Sequence, residues 1–260
     1  MNLQLKDKII VITGGAKGIG AAVARACAEE GATPVIVDRD AEAAEKLSGE
    51  LQAAGSDSLV IVCELSNPEN CARAVREVVK TYGRIDALVN NAGFNDRVGL
   101  EKGSPDEFMA SLRQNLLHYY SMAHFAVASL KQVHGSIVNV SSKTAVTGQG
   151  GTSGYVSAKG AILALTREWA VELLPYRIRV NAVIPAEVMT PHYRSWLESF
   201  PNADEKLESI VAKIPLGKRM TTPEEIAAMI VFVISEKAAH ITGQHLYVDG
   251  GYVHLDRALS

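Results

Sequence analysis

The chain has few groups that could staple it, anchor it or give it a strong charge. Cysteine is scarce, with Cys27, Cys63 and Cys71 the three among 260 residues. They lack metal-ligand spacing and fall in apolar stretches, so buried thiols are expected and a metal site is not. Nothing implies a disulfide framework, which fits a reducing cytosol and a cytoplasmic protein. No apolar run reaches the roughly 18 residues of a membrane span. The start, MNLQLKDKIIVITGG, has no long apolar segment ahead of a cleavage site. A membrane partner is therefore not expected. An excess of one charge is also missing: 26 Lys and Arg face 29 Asp and Glu, for a formal net charge of −3. Without a basic cluster, a nucleic-acid partner is not expected. Linkers, internal repeats and low-complexity stretches are absent too, which leaves one domain over residues 1–260.

What is present is alternation. Short apolar, β-branched runs (KIIVIT, TPVIVD, SLVIVCEL, ALVNNAG, GSIVNVSS, RIRVNAVIP and GQHLYVDGG) are separated by longer segments with helical periodicity. Asn67 and Pro68 open one such helix, and Thr222 with Glu225 three residues on opens another. One long helix is predicted over 105–131 and another over 153–173. A helical insertion is predicted near 190–215. Strands apolar along most of their length and joined by helices imply a parallel sheet covered on both faces. The fold class is α/β, a doubly wound (Rossmann) sheet of about seven strands.

Between the first strand and first helix lies TGGAKGIG. Its Gly14, Gly18 and Gly20 let the backbone turn tightly and approach a pyrophosphate with no Cβ in the way. The helix start offers unpaired N–H groups to that anion. Asp38 stands eighteen residues beyond Gly20, at the end of the second strand. A carboxylate there can accept bonds from both adenosine ribose hydroxyls and would repel a 2′-phosphate, which favours NAD. Lys17 and Arg39 could attract that phosphate, so NADP stays open as the alternative.

In GYVSAKG, Tyr155 precedes Lys159 by four residues, one helical turn, and Ser142 lies thirteen residues before the tyrosine. A phenol is a poor base at neutral pH, and a neighbouring ammonium is expected to lower its pKa. Ser142 ends the fifth strand, at the sheet edge where ligands bind in such folds, and its hydroxyl could hold the substrate oxygen.

With NNAG, Asn115, IPAEVMT and YVDGG added, the sequence resembles the classical short-chain dehydrogenase/reductase family, from about Asp7 to Gly251. The resemblance implies Tyr155 as general acid/base and Ser142 as the group orienting the substrate. It implies Lys159 on the nicotinamide ribose and Asn115 holding a water linked to Lys159. It extends the cofactor set to Ile19, Glu64, Leu65, Asn91, Ala92, Gly93, Pro185, Val188 and Thr190. Two departures stand out: Glu64 replaces the usual Asp near the adenine, and Ala186 replaces the Gly after Pro185, where a shift of the backbone is expected. A homotetramer is implied, with the helices at 105–131 and 153–173 pairing across dyads.

Asn95, Lys143, Gln149, Glu187 and His192 are the candidate substrate contacts, and they predict a polar lining suited to hydroxyl groups. The stretches VSSKTAVTGQGGTSGY, VIPAEVMTPHY and DGGYVHLDRAL resemble the bacterial L-fucose dehydrogenases of this family and their sugar-acid relatives. Oxidation of L-fucose or a related aldose to its lactone is the implied activity. The alternatives are another short-chain reductase, acting on a sugar acid such as 2-keto-3-deoxy-L-fuconate, a 3-oxoacyl thioester or a small ketone, and a non-catalytic nucleotide-binding scaffold.

Overall fold

The computed structural model describes residues 2–255. The end of the DGGYVHLDRAL stretch, from Asp256 on, lies outside the described residues. Seven parallel strands form one sheet in the order β3-β2-β1-β4-β5-β6-β7. They are β1 Ile9–Thr13, β2 Thr33–Asp38, β3 Leu59–Val62, β4 Ala87–Asn90, β5 Ser136–Val140, β6 Arg179–Pro185 and β7 His245–Val248. Strand order reverses between β1 and β4, and their carboxyl ends part there, the place where such sheets open a crevice.

Alternation along β1 assigns the two faces. Ile10 and Ile12 pack under helices α1 (Gly18–Glu29), α2 (Ala41–Ala53) and α10 (Pro223–Ile234). Ile9 and Val11 pack under α3 (Pro68–Tyr82), α5 (His118–Val133) and α7 (Ser153–Glu172). Both faces are covered, which is why β1 is buried throughout. The predicted starts hold. Asn67 caps α3 by accepting from the Glu69 N–H, with Pro68 next. Thr222 and Glu225 form a reciprocal capping box at α10.

Two sequence expectations need correction. The helix predicted over 105–131 is not continuous. It runs as α4 (Pro105–Leu112), a π-helical turn at Arg113–Leu117 that contains Asn115, and then α5. Apolar periodicity carries across such a turn, so the sequence pattern conceals it. The fifth strand stops at Val140, so Ser141 and Ser142 lie beyond it, ahead of the short α6 (Thr144–Thr147). The expected helical insertion is present as two helices, α8 (Pro191–Glu198) and α9 (Ala203–Val211).

Candidate active site

The carboxyl ends of the central strands open into one cavity of about 830 Å3. Its nucleotide half starts at the turn after β1. Gly14 has φ +62°, and a Cβ there would lie 2.9 Å from the Ala92 Cα. Gly18 has φ +54°, with Thr190 Cγ2 3.2 Å from where its Cβ would be. Asn91 ties this turn to β4. Its Nδ2 donates to the Thr13 and Gly14 carbonyls at 3.0 and 3.1 Å. The backbone N–H groups of Asn91 and Ala92 donate to Thr13 Oγ1. Helix α1 begins with no side-chain cap, so its first N–H groups are left for a ligand. A cradle without Cβ atoms that ends in free amides fits a pyrophosphate.

Asp38 bounds the cradle. Its carboxylate accepts from the Ala16 and Asp40 N–H groups, each at 3.0 Å, and keeps lone pairs for further donors. The two cations that could draw a 2′-phosphate are already paired. Lys17 bonds Asp40 at 2.5 Å, and Arg39 meets Glu64 at 3.3 Å. Glu64 also accepts from the Ser66 N–H, so its carboxylate is committed locally. Ala186 is accommodated without a positive φ.

Tyr155 and Lys159 stand one turn apart on α7, as the spacing predicts. The Ser142 hydroxyl faces the Tyr155 phenol closely enough to favour its ionised form. Lys159 is 3% exposed. It donates to the Val140 carbonyl at 2.8 Å and to the Tyr119 hydroxyl at 3.0 Å, and its Nζ lies 5.7 Å from the Tyr155 ring centroid. The expectation that the ammonium lowers the phenol's pKa does not hold in this state. Burial pushes Tyr155 up to about 12, the Ser142 hydroxyl works against that rise, and the Asp96 carboxylate adds to it. Burial also draws Lys159 down to about 7. The competing effects are desolvation and charge pairing, and desolvation is the first cause of both shifts.

Asn115 is buried in the π-turn. Its Oδ1 accepts from the Phe94 N–H at 2.9 Å, and its Nδ2 donates to the Ser111 carbonyl at 3.2 Å and towards Asp96 Oδ2 at 3.5 Å. A Cβ on Gly93 would lie 3.0 Å from Asn115 Oδ1 and 3.6 Å from Lys159 Nζ, so both side chains flank one stretch of backbone.

Every residue named from the sequence lines this cavity except two. Asn115 sits behind the wall. Gly20 packs inward, its would-be Cβ 2.1 Å from the Gly14 carbonyl oxygen, and so lets α1 close on the turn. On the substrate side, Lys143 is ion-paired to Glu187, and the Tyr193 hydroxyl donates to the same carboxylate at 2.8 Å. Gln149 and His192 are exposed at the rim.

These observations can be set beside known proteins. The sequence profile described as enoyl-(acyl carrier protein) reductase matches residues 14–253. The 3-oxoacyl-[acyl-carrier-protein] reductase FabG of Thermotoga maritima is 35% identical over 96% of this chain and 100% of its own length. The chain is a short-chain dehydrogenase/reductase. The L-fucose dehydrogenase of Bos taurus is 34% identical over 96% of this chain and 91% of its own. The crystal structure of Cj0485 dehydrogenase superposes with a TM-score of 0.95 at 47% identity, covering 100% of this chain and 99% of that one. The protein is thus an oxidoreductase of this family, using NAD(P).

In this dehydrogenase/reductase, sequence reasoning missed part of the substrate wall. The expected polar lining is half of it; Trp196, Phe200 and Ile210 from the insertion supply an apolar face. Tyr193, Trp196 and Phe200 stack edge to face at 5.1 and 5.0 Å. Their spacing of three and four residues was a readable helical stripe. His118 also lines the cavity, with burial driving its pKa down to about 3. Only its place after the π-turn turns it inward, and nothing in the sequence signalled that turn.

Proposed function

We propose that the protein oxidises L-fucose or a closely related aldose to its lactone, with NAD preferred over NADP. The observation that carries this reading is the convergence of Ser142 and Tyr155, with Lys159 one turn below, in a cavity shared with the glycine cradle. Bound NAD(P) supplies the acceptor for the hydride leaving the anomeric carbon. Ser142 holds the substrate oxygen, and Tyr155 takes its proton through the phenolate. Lys159 keeps one ammonium donor beyond Val140 and Tyr119, which serves the nicotinamide ribose. Asn115 fixes the Phe94 backbone beside that lysine. Val188 and Thr190 close over the nicotinamide side. Asp38 takes the adenosine ribose hydroxyls, and the pairing of Lys17 and Arg39 with carboxylates supports NAD.

Asn95, Gln149, Glu187, Lys143 and His192 meet sugar hydroxyls, while Trp196 offers an apolar face to a sugar ring. The likeness to the L-fucose dehydrogenase supports the substrate class. A second reading, reduction of a 3-oxoacyl thioester, draws on the aromatic wall and the likeness to FabG. A scaffold role gives no reason for Ser142, Tyr155 and Lys159 to meet in one cavity. The whole chain acts as one unit in this reading. A homotetramer follows the family, and the exposed apolar side chains of Tyr120, Val171 and Leu174 on and beside α5 and α7 suit subunit faces.

The test follows reduced-nicotinamide absorbance with aldoses, aldonates, ketones and a 3-oxoacyl thioester, each with both cofactors. L-fucose or a near relative with NAD should give the highest kcat/KM. Turnover of the thioester alone, or a preference for NADP, overturns the corresponding part of the proposal.

A further inference from the structure

Lys143 and Glu187 come from neighbouring strand ends. Val140 of β5 is in register with Val183 of β6, and the Lys143 N–H donates to the Pro185 carbonyl at 2.9 Å. The two side chains therefore meet just past the sheet edge, one residue from Ser142. Both are largely withdrawn from water, at 12% and 15% exposure. Each has one further contact. Tyr193 from α8 bonds the second Glu187 oxygen, and the Lys143 Nζ lies 3.9 Å from the Tyr252 ring centroid. The charges thus cancel inside the wall that faces the substrate.

An uncharged hydroxyl can donate to the remaining lone pairs of Glu187 or accept from the remaining protons of Lys143. A substrate carboxylate gains less. It meets an ammonium already neutralised, beside a carboxylate that repels it. Of the other cations that line the cavity, Lys17 and Arg39 lie on the nucleotide side paired to Asp40 and Glu64, and Lys159 is turned to Val140 and Tyr119; that leaves Arg97, which is exposed, and Lys206, which lies against the Phe200 ring on the insertion. Their fields are weakened by solvent, and Lys143 is the cation nearest the Ser142 hydroxyl in the chain.

We propose that the Lys143–Glu187 pair is the charge filter of the substrate site: it admits neutral polyhydroxyl substrates, and Glu187 is the group that keeps sugar acids out. This rests on the sugar-oxidising reading and sharpens it to uncharged sugars. Removing one partner should turn the site towards the opposite charge. Glu187→Gln keeps the shape and the Tyr193 contact but leaves Lys143 unmatched, giving an anion site. Lys143→Met leaves Glu187 unmatched, giving a site for a cationic amino sugar.

The experiment measures binding to the NAD-loaded protein by calorimetry, using L-fucose, L-fuconate and an amino-deoxy sugar, and runs turnover in parallel. Glu187→Gln should tighten L-fuconate relative to L-fucose by about tenfold or more, and adding Lys143→Met should abolish that gain. Lys143→Met alone should shift preference towards the amino sugar by a similar factor. A folded Glu187→Gln protein that binds fuconate no better than the parent overturns the proposal. If that variant does not fold, Lys143→Met decides, and an unchanged amino-sugar preference overturns it. Failure of the parent to oxidise any neutral sugar would instead count against the function proposed above. The charge-swap ratios are read from binding and stand apart from that outcome.

Discussion

On the nucleotide side of the cavity the wall is backbone. The Gly14 N–H donates to the Val37 carbonyl at 2.8 Å, the Asn91 side chain bonds two carbonyls of the turn, and α1 buries seven of its residues beneath it. On the opposite side the wall is side chains. Helix α8 buries Leu197 alone and α9 buries none, and the segment leading into them is held by the Val188–Thr221 bridge and by the side-chain bonds of Glu187 to Lys143 and Tyr193. The first wall has one way to be built, because a common ligand approaches bare backbone. The second can be refitted residue by residue without disturbing the sheet. Cofactor use is thus a property of the fold here, whereas in the proposed reading substrate choice belongs to the insertion and to the two strand ends that meet it.

The largest effect should come from the centre that both walls share. Tyr155→Phe removes the proton carrier and leaves each wall intact. Turnover should fall by a factor on the order of 10² or more. NAD affinity, measured by calorimetry, should stay within about twofold of the parent's, since the phenol hydroxyl is not part of the cradle. If cofactor affinity falls along with turnover, the tyrosine belongs to the nucleotide wall and the division drawn here is wrong.

A glycine substitution sharpens the contrast between backbone that is committed and backbone that is free. At Gly20 a new Cβ would lie 2.1 Å from the Gly14 oxygen and 2.8 Å from Asn91 Nδ2, so the turn itself must move. Gly20→Ala should cost about 1–3 kcal/mol of stability and weaken NAD binding. At Gly49, on the exposed face of α2, a Cβ meets nothing within 4 Å. Gly49→Ala should raise stability by up to about 1 kcal/mol and leave the cofactor constant alone. Thermal unfolding with and without NAD measures both. Equal effects at the two sites would mean that the cradle is as tolerant as a surface helix.

The same contrast explains what could be read from the residues alone. Gly14, Asp38, Asn91 and Ser142 each follow a strand that must end at one sheet edge, so position along the chain fixes position in space. Tyr155 and Lys159 follow from helical spacing alone. The π-turn around Asn115 was not legible, because apolar periodicity runs through it and Asn is no more than a mediocre helix former. Trp196 lies in the short α8 and Phe200 just past its end, and their placement depends on tertiary contact, so their stripe gave a face without an address. The pKa of Tyr155 was misjudged for a related reason. Sequence spacing brought the ammonium near, but the burial that raises the phenol's pKa comes from other elements.

That misjudgement leads to the smallest predicted effect, a shift in pH dependence. Oxidation requires Tyr155 to accept a proton, so it draws on the phenolate. In the protein the phenol sits near 12, held up by burial first and by the Asp96 carboxylate in addition. The oxidation rate should therefore climb as pH rises from neutral into the alkaline range. A negative neighbour disfavours the phenolate, so removing its charge lowers the phenol's pKa. Asp96→Asn should move the rising limb of kcat/KM to lower pH. For the reverse reaction, which needs the neutral phenol, the falling limb should move the same way. Asp96 also touches Asn115, so the substitution can lower the rate by disturbing the π-turn. That structural effect scales the whole profile without displacing it along the pH axis. A limb that stays in place, or moves to higher pH, would show that Asp96 acts on Asn115 and leaves the phenol untouched.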